Sequence, residues 1–228
     1  MPRYALYYAP RPDEALARFA ASWLGRDPER DGAVVQPLVG GLASARLAEI
    51  TAEPRRYGFH GTLKPPFDLA PSATLERLLA DAAAFASQRR PIELPRLTLK
   101  AIGGFLALVP DHHPALDALA ADCVSDFDAF RAPPDPADVA RRRQAGLSAR
   151  QDELLARWGY PYVMDEFRFH LTLTGSLEAP ERAVVERVLE PLVAPFSAAP
   201  LPVRDLVLFV QDSRDRPFRI LARFPFQV

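Results

Sequence analysis

An α+β fold of two similar lobes is predicted by three features of the sequence. The stretch Phe59-His60-Gly61-Thr62-Leu63-Lys64 is nearly repeated as Phe169-His170-Leu171-Thr172-Leu173-Thr174. The spacing that follows is repeated too, with 45 residues from His60 to Phe105 and 48 from His170 to Phe218. After each stretch the expected order is strand, helix, hairpin, which marks an internal repeat. The expectation is one bilobal domain over residues 1–228, its repeats about 1–110 and 111–228, with a helical pair inserted at about 133–162. Each lobe carries an antiparallel-rich sheet backed by helices, and the two enclose a central cleft.

The elements follow in order. Residues 3–9 are aromatic-rich and bounded by Pro10 and Pro12, which reads as a strand. Leu16, Phe19, Ala20, Trp23 and Leu24 recur at helical spacing up to Gly25. Residues 32–50 give mixed signals, with a short helix at 43–50. The first motif strand is read at 57–67, stopped by Pro65-Pro66, and Ser72 then stands as cap of a helix reaching about residue 88. Residues 94–101 and 105–109 form a hairpin around Gly103-Gly104, and a helix follows from Pro114 to about residue 130. In the inserted pair, Asp135-Pro136 gives an N-cap and first-turn proline, and Ser148 with Gln151 a capping box. The second motif strand is read at 165–174. It leads to a helix at 180–192 and strands at 203–210 and 218–226.

Composition bounds the function. With 28 Lys plus Arg against 29 Asp plus Glu the formal charge is -1, so no global field recruits nucleic acid or an anionic membrane. The sequence also lacks the extended basic and aromatic stripe of an RNA binder. A single cysteine, Cys123, excludes an internal disulfide framework and is read as a small core residue in a reducing compartment. The N-terminal segment has no long apolar run of the secretory type, and no uncharged stretch reaches the ~18 residues of a membrane span. A cytoplasmic protein is expected.

In a strand, alternate side chains share a face. His60, Thr62 and Lys64 are therefore expected on one face and His170, Thr172 and Thr174 on the equivalent one, with Phe169, Leu171 and Leu173 turned to the core. Imidazole, hydroxyl and ammonium are costly to bury unpartnered, so both polar faces should line a wet cleft. A histidine near its usual pKa of ~6.5 can give or take a proton at neutral pH, and an opposed pair can do both. The reaction this suits is hydrolysis at phosphorus. One imidazole takes a proton from water and the other supplies one to the leaving alkoxide, while Thr62, Thr172, Thr174 and Lys64 hold the non-bridging oxygens.

The paired motifs, with YGFHGTLKPPF, LSARQDELLARWGYPY and FRFHLTLTG, resemble the 2H phosphoesterase superfamily, and within it the branch associated with bacterial phosphonate metabolism. The resemblance spans essentially the whole chain. It implies His60 and His170 as the catalytic pair, Thr62 and Thr172 as their motif hydroxyls, Thr174 as the closing hydroxyl, and no cofactor or metal. It also implies a small phosphorylated substrate, a cyclic phosphodiester such as a ribose cyclic phosphate from phosphonate breakdown. Lys64 departs from the family pattern, standing where Ser or Thr is expected, which suits a more highly charged phosphate.

Other readings stand beside this one. Arg168 is expected on the His170 face, there to meet a second phosphate or carboxylate, or to pair with Glu166. Tyr57 is expected in packing, with stacking on a base or sugar as the alternative. Tyr160 and Tyr162 stand where they border the cleft or turn away from it, and the arginines of 133–162 are expected on a solvated helix face or in a lid over an anionic substrate. His112 and His113 are assigned no function. A metal-dependent hydrolase using His60, His170 and a carboxylate is one alternative, although no HxH or HExxH spacing lies near either motif. A non-catalytic module binding RNA or a phosphorylated ligand is the other.

Overall fold

Seven strands make one antiparallel sheet at the centre of the molecule. The computed structural model describes residues 2–227. The chain opens with strand β1 (Arg3–Tyr8) and helix α1 (Ala15–Leu24), then a two-residue ladder of β2 (Arg26–Asp27) and β3 (Gly32–Ala33). Helices α2 (Ser44–Ile50) and α3 (Ala52–Tyr57) precede β4 (Gly61–Asp68), α4 (Leu75–Ser87) and β5 (Ile92–Leu94). The hairpin β6 (Leu97–Ile102) and β7 (Phe105–Pro110) leads to α5 (Pro114–Asp126), α6 (Pro136–Gln144) and α7 (Ala149–Trp158). Last come β8 (Leu171–Thr172), α8 (Ala179–Ser197), β9 (Leu201–Val203), β10 (Asp205–Gln211) and β11 (Arg219–Pro225).

The sheet order is β11-β10-β1-β4-β8-β7-β6. Each hairpin therefore lies in the half of the sheet opposite the motif strand that precedes it in sequence. Helix α4 lies on β10 and β11, and α8 on β6 and β7. Outside the main sheet, β5 pairs with β9, Ile92 opposite Val203 and Leu94 opposite Leu201.

One face of the sheet carries the main core. Leu6, Leu63, Leu108, Leu171 and Leu208 meet Trp23 of α1, Phe85 of α4, Leu119 of α5 and Leu189 of α8, all buried. Cys123 lies in the same core. On the other face of β1, Ala5, Tyr7 and Ala9 pack with Val207, Phe209 and Phe218 in a smaller cluster. The sheet is thus covered by helices on one side and left partly open on the other, where both motifs emerge.

Several expected boundaries move. Helix α3 runs through Tyr57 and ends at Gly58, whose φ of 74° is a left-handed value that glycine adopts without strain. The first motif strand consequently begins at Gly61 instead of residue 57. The second, expected at 165–174, is β8 alone, preceded by a 3₁₀ turn at Met164–Glu166. The chain stays against β7 through Leu173, whose amide donates to the Leu106 carbonyl (2.9 Å), and turns away by Gly175, whose amide donates to that of Ile50 (2.6 Å). Thr74, not Ser72, caps α4, its hydroxyl accepting from the Arg77 amide at 3.2 Å. Helix α8 continues through Pro191 and Pro195 to Ser197, held by its buried stripe of Val185, Leu189 and Val193. Among the described residues, no helix is long and apolar enough to cross a membrane.

Candidate active site

Strands β4 and β8 lie side by side, Gly61 opposite Leu171. Such neighbours approach to about 5 Å between Cα atoms. Each motif histidine immediately precedes its strand, so the pairing brings His60 and His170 into one cleft of about 540 Å³. Thr62 and Thr172 line the same cleft beside them.

Both imidazoles are held in the same way. His60 Nδ1 lies 2.9 Å from the Gly58 carbonyl oxygen, and His170 Nδ1 lies 2.7 Å from that of Arg168. A carbonyl only accepts, so Nδ1 carries the proton in each ring and Nε2 keeps its lone pair. His60 is further fixed by stacking on Tyr7, ring centroids 3.9 Å apart and planes 22° from parallel. Tyr57 and Phe209 flank it at 6.0 Å and 6.2 Å. His170 lies against Phe105 at 5.6 Å.

Burial disfavours the imidazolium in both rings. It is the largest cause in each case, pushing His60 down to about 4 and also lowering His170. The bond to the Gly58 carbonyl opposes the shift at His60, and the neighbouring His170 adds to it. His60 is consequently neutral at pH 7.

Of the expected substrate contacts, Lys64 needs correction, and Arg168 and Thr174 are placed as follows. Lys64 does not share the His60 face. It is 1% exposed, and its Nζ donates to the Val124 carbonyl (2.9 Å) and lies 3.6 Å from Asp128 Oδ1. The cause is a β-bulge: Tyr7 pairs with Thr62 but Leu6 with Lys64, so one step on β1 spans two on β4. The extra residue reverses the alternation and sends Lys64 into the protein, where burial pushes its pKa down to about 8. Arg168 is exposed, and the group it brings to the site is its backbone carbonyl; Glu166 instead accepts from Gln151 at 3.0 Å. Thr174 forms part of the cleft wall, yet it is fully buried and its hydroxyl oxygen accepts the Leu106 amide at 3.0 Å. That bond fastens the end of the motif to β7.

The sequence reading missed other residues of this wall: Arg3 and Tyr7 from β1, Glu53 from α3 and Phe105 from β7. Arg142 of α6, one of the arginines read as a solvated face or a lid, lines it too. Tyr57 and Tyr160 also line the cleft, Tyr57 while packed parallel to Phe218, their centroids 5.4 Å apart and planes at 15°. His112 and His113 lie elsewhere, at the start of α5, with His112 Nε2 2.7 Å from Asp117. Among the described residues, no group of three or more His, Cys, Asp or Glu side chains is arranged to hold a metal ion.

Comparison with known proteins adds family context. Residues 62–219 match the model of a family described as protein of unknown function, DUF1045. This chain belongs to the DUF1045 family. It is 39% identical over 231 residues to a protein of Janthinobacterium sp. (strain Marseille) named ribose 1,5-bisphosphate phosphokinase PhnN, covering 99% of this chain and 51% of that protein. A protein of the same name from Laribacter hongkongensis (strain HLHK9) is 34% identical over 220 residues, 96% of this chain and 50% of its own length. The DUF1045 chain thus spans about half the length of the curated relatives it matches. Among solved structures, E. coli LigT complexed with 3′-AMP aligns over the full length of both chains at 15% identity and a TM-score of 0.41.

Proposed function

We propose that this DUF1045 chain is a 2H-type phosphoesterase, hydrolysing a small cyclic phosphodiester with two histidines and no metal. The observation that carries the reading is the matched pair of imidazoles in one cleft, each tied through Nδ1 to the carbonyl two residues before it and flanked by a motif threonine. In the reaction, His60 Nε2 takes a proton from water as its oxygen bonds to phosphorus. The bond from phosphorus to the ring alkoxide breaks, and His170, protonated at Nε2, gives that alkoxide its proton. The product is a phosphomonoester beside a free hydroxyl. Thr62 and Thr172 donate to the non-bridging oxygens, where charge accumulates in the transition state. His60 is given the base role because burial keeps it neutral across the working range.

The near-repeat of the two motifs supports reading the chain as one domain of two duplicated halves. So does the β5–β9 ladder, which joins segments at equivalent places in the two halves. The relatives' name directs the choice of substrate. They are named for a kinase of ribose 1,5-bisphosphate, while the two lysines of this chain, Lys64 and Lys100, stand in no G-x-x-x-x-G-K-[ST] phosphate loop. A ribose 1,2-cyclic phosphate opened at C2 yields a ribose 1-phosphate, the anomeric phosphate contained in that name. We take a ribose cyclic phosphate as the substrate, and phosphonate breakdown as its source.

The test is hydrolysis by the purified chain of ribose 1,2- and 2,3-cyclic phosphates and nucleoside 2′,3′-cyclic phosphates, with and without EDTA. Turnover that persists in EDTA is expected. Activity lost in chelator and restored by a divalent ion overturns the metal-free mechanism, and no turnover of any cyclic diester overturns the assignment.

A further inference from the structure

The proposed hydrolysis leaves two cations of the cleft without a task. Arg142 is the middle of three consecutive arginines on α6. Its neighbours are committed, Arg141 to Asp138 at 2.6 Å and Arg143 to Asp152 at 2.6 Å. Arg142 has no carboxylate partner among the described residues; its guanidinium lies 4.6 Å over the Tyr160 ring and lines the cleft. Arg3, on the same wall, is also without a carboxylate partner. Its Nε and Nη2 both donate to the neutral Gln211 Oε1, at 2.8 and 2.5 Å, which uses that edge and leaves the Nη1 side, and its guanidinium lies 5.4 Å from the centre of the Phe218 ring. The nearby Asp68 is taken by Arg214 at 3.0 Å. Among the described residues the one carboxylate lining the cleft, Glu53, comes from α3, near Gly175 of the segment after β8.

Aromatic rings connect Arg3 to His60. Phe218 stacks on Tyr57 and lies 6.4 Å from Tyr7, on which His60 stacks. Arg3 is therefore two rings removed from His60. A guanidinium lying over an aromatic face keeps N–H edges free for an oxyanion. Two partly desolvated cations without counter-charge are unfavourable in the empty cleft and favourable once an anion reaches them.

We infer that Arg3 and Arg142, walled by Tyr57 and Tyr160, form a second anion subsite. The substrate is then a cyclic phosphodiester that carries a further phosphomonoester on the same small sugar. This rests on the hydrolysis proposed above and adds to it the feature that selects the substrate.

The probes are ribose 1,2-cyclic phosphate with and without a 5-phosphate. Wild type is expected to favour the 5-phosphorylated probe in kcat/KM by at least tenfold. Arg142→Gln and Arg3→Gln, each shown to be folded by circular dichroism, should cut that preference to below about threefold. Arg141→Gln, altered next door on the solvent side, should retain it. A wild type without preference, or Arg141→Gln and Arg142→Gln behaving alike, overturns the subsite. If wild type hydrolyses neither probe, calorimetry with ribose 5-phosphate decides the subsite alone, and the hydrolase reading is decided by the wider panel of cyclic diesters. Binding that weakens at least fivefold in Arg142→Gln upholds it, and binding that is absent or unaltered by that change ends it.

Discussion

Gly61 of β4 stands directly opposite Leu171 of β8, and around this pair the two His-x-Thr sequences cross. Continuing the antiparallel register by one residue sets His60 against Thr172 and Thr62 against His170. Each imidazole is thus set beside the hydroxyl of the other motif. The approach depends on the absence of a side chain at Gly61, where a Cβ would fall 2.3 Å from the Phe169 ring and 3.2 Å from Leu171 Cδ2. Phe169 is buried, with Tyr8 5.9 Å away, and cannot simply turn aside.

Gly61→Ala should therefore part the two motif strands. Overpacking of this kind costs about 1–3 kcal/mol, a fall of roughly 2–12 °C in Tm for a chain of this size. Because the strands carry the two histidines, kcat should fall as well. Thermal unfolding and steady-state kinetics check both effects. A variant of wild-type stability and turnover would show that the Phe169 ring yields and that the close approach does not set the histidine spacing.

How legible the molecule was depends on whether a feature is local. The cap at Asp135, the capping box of Ser148 and Gln151, and the turn of the β6–β7 hairpin are each written within a few residues, and each forms where expected. The motif histidines were legible because the chain nearly repeats them. Lys64 was not, since alternation assumes a regular strand and the bulge opposite Leu6 and Tyr7 is a property of the pairing. Nor were Arg3 and Tyr7, which reach the site only because β1 lies next to β4 in the sheet. The run of arginines at 141–143 was visible, but which one faces the cleft is decided by the ion pairs its neighbours make.

Lys64→Met tests the corrected position of Lys64. With Nζ inside the protein, kcat/KM for phosphorylated and unphosphorylated probes should change by the same small factor, under about threefold. Stability should respond in a defined pH window. The folded pKa, pushed down to about 8 from 10.5, means that the unfolded chain holds more protons between those values. The ammonium's burial cost is therefore fully present below pH 8 and relieved as pH rises towards 10.5. The stability of wild type relative to Lys64→Met should rise across this window by on the order of 3 kcal/mol. Denaturant unfolding at pH 7.5 and 10.5 measures it, and a pH-independent difference would contradict a desolvated ammonium.

Removing either histidine should cost the contribution of one proton transfer, typically ~10² to 10⁴ in rate. His60→Ala and His170→Ala should each show this loss in kcat. The double variant should lose less than the product of the two, because a transfer without its counterpart is worth little. His112→Ala serves as the control, its partner being Asp117 outside the cleft. Full activity in either single variant would end the two-histidine mechanism.

The pH profile assigns the two roles. On the proposed assignment the active free enzyme has His60 neutral and His170 protonated. Burial pushes His60 down to about 4, so the acid limb of kcat/KM should fall there, where the base becomes protonated as pH drops. Burial lowers His170 as well, so the alkaline limb should lie below the ordinary histidine value of 6.5, as the acid loses its proton. The result is a bell with its optimum on the acid side of neutrality. In kcat the alkaline limb should move upward, because a bound phosphate anion favours the imidazolium. In His170→Ala the residual activity should lose its alkaline limb, and in His60→Ala its acid limb. If the alkaline limb instead survives in His170→Ala and vanishes in His60→Ala, the roles are exchanged: His170 is the base and His60 the acid.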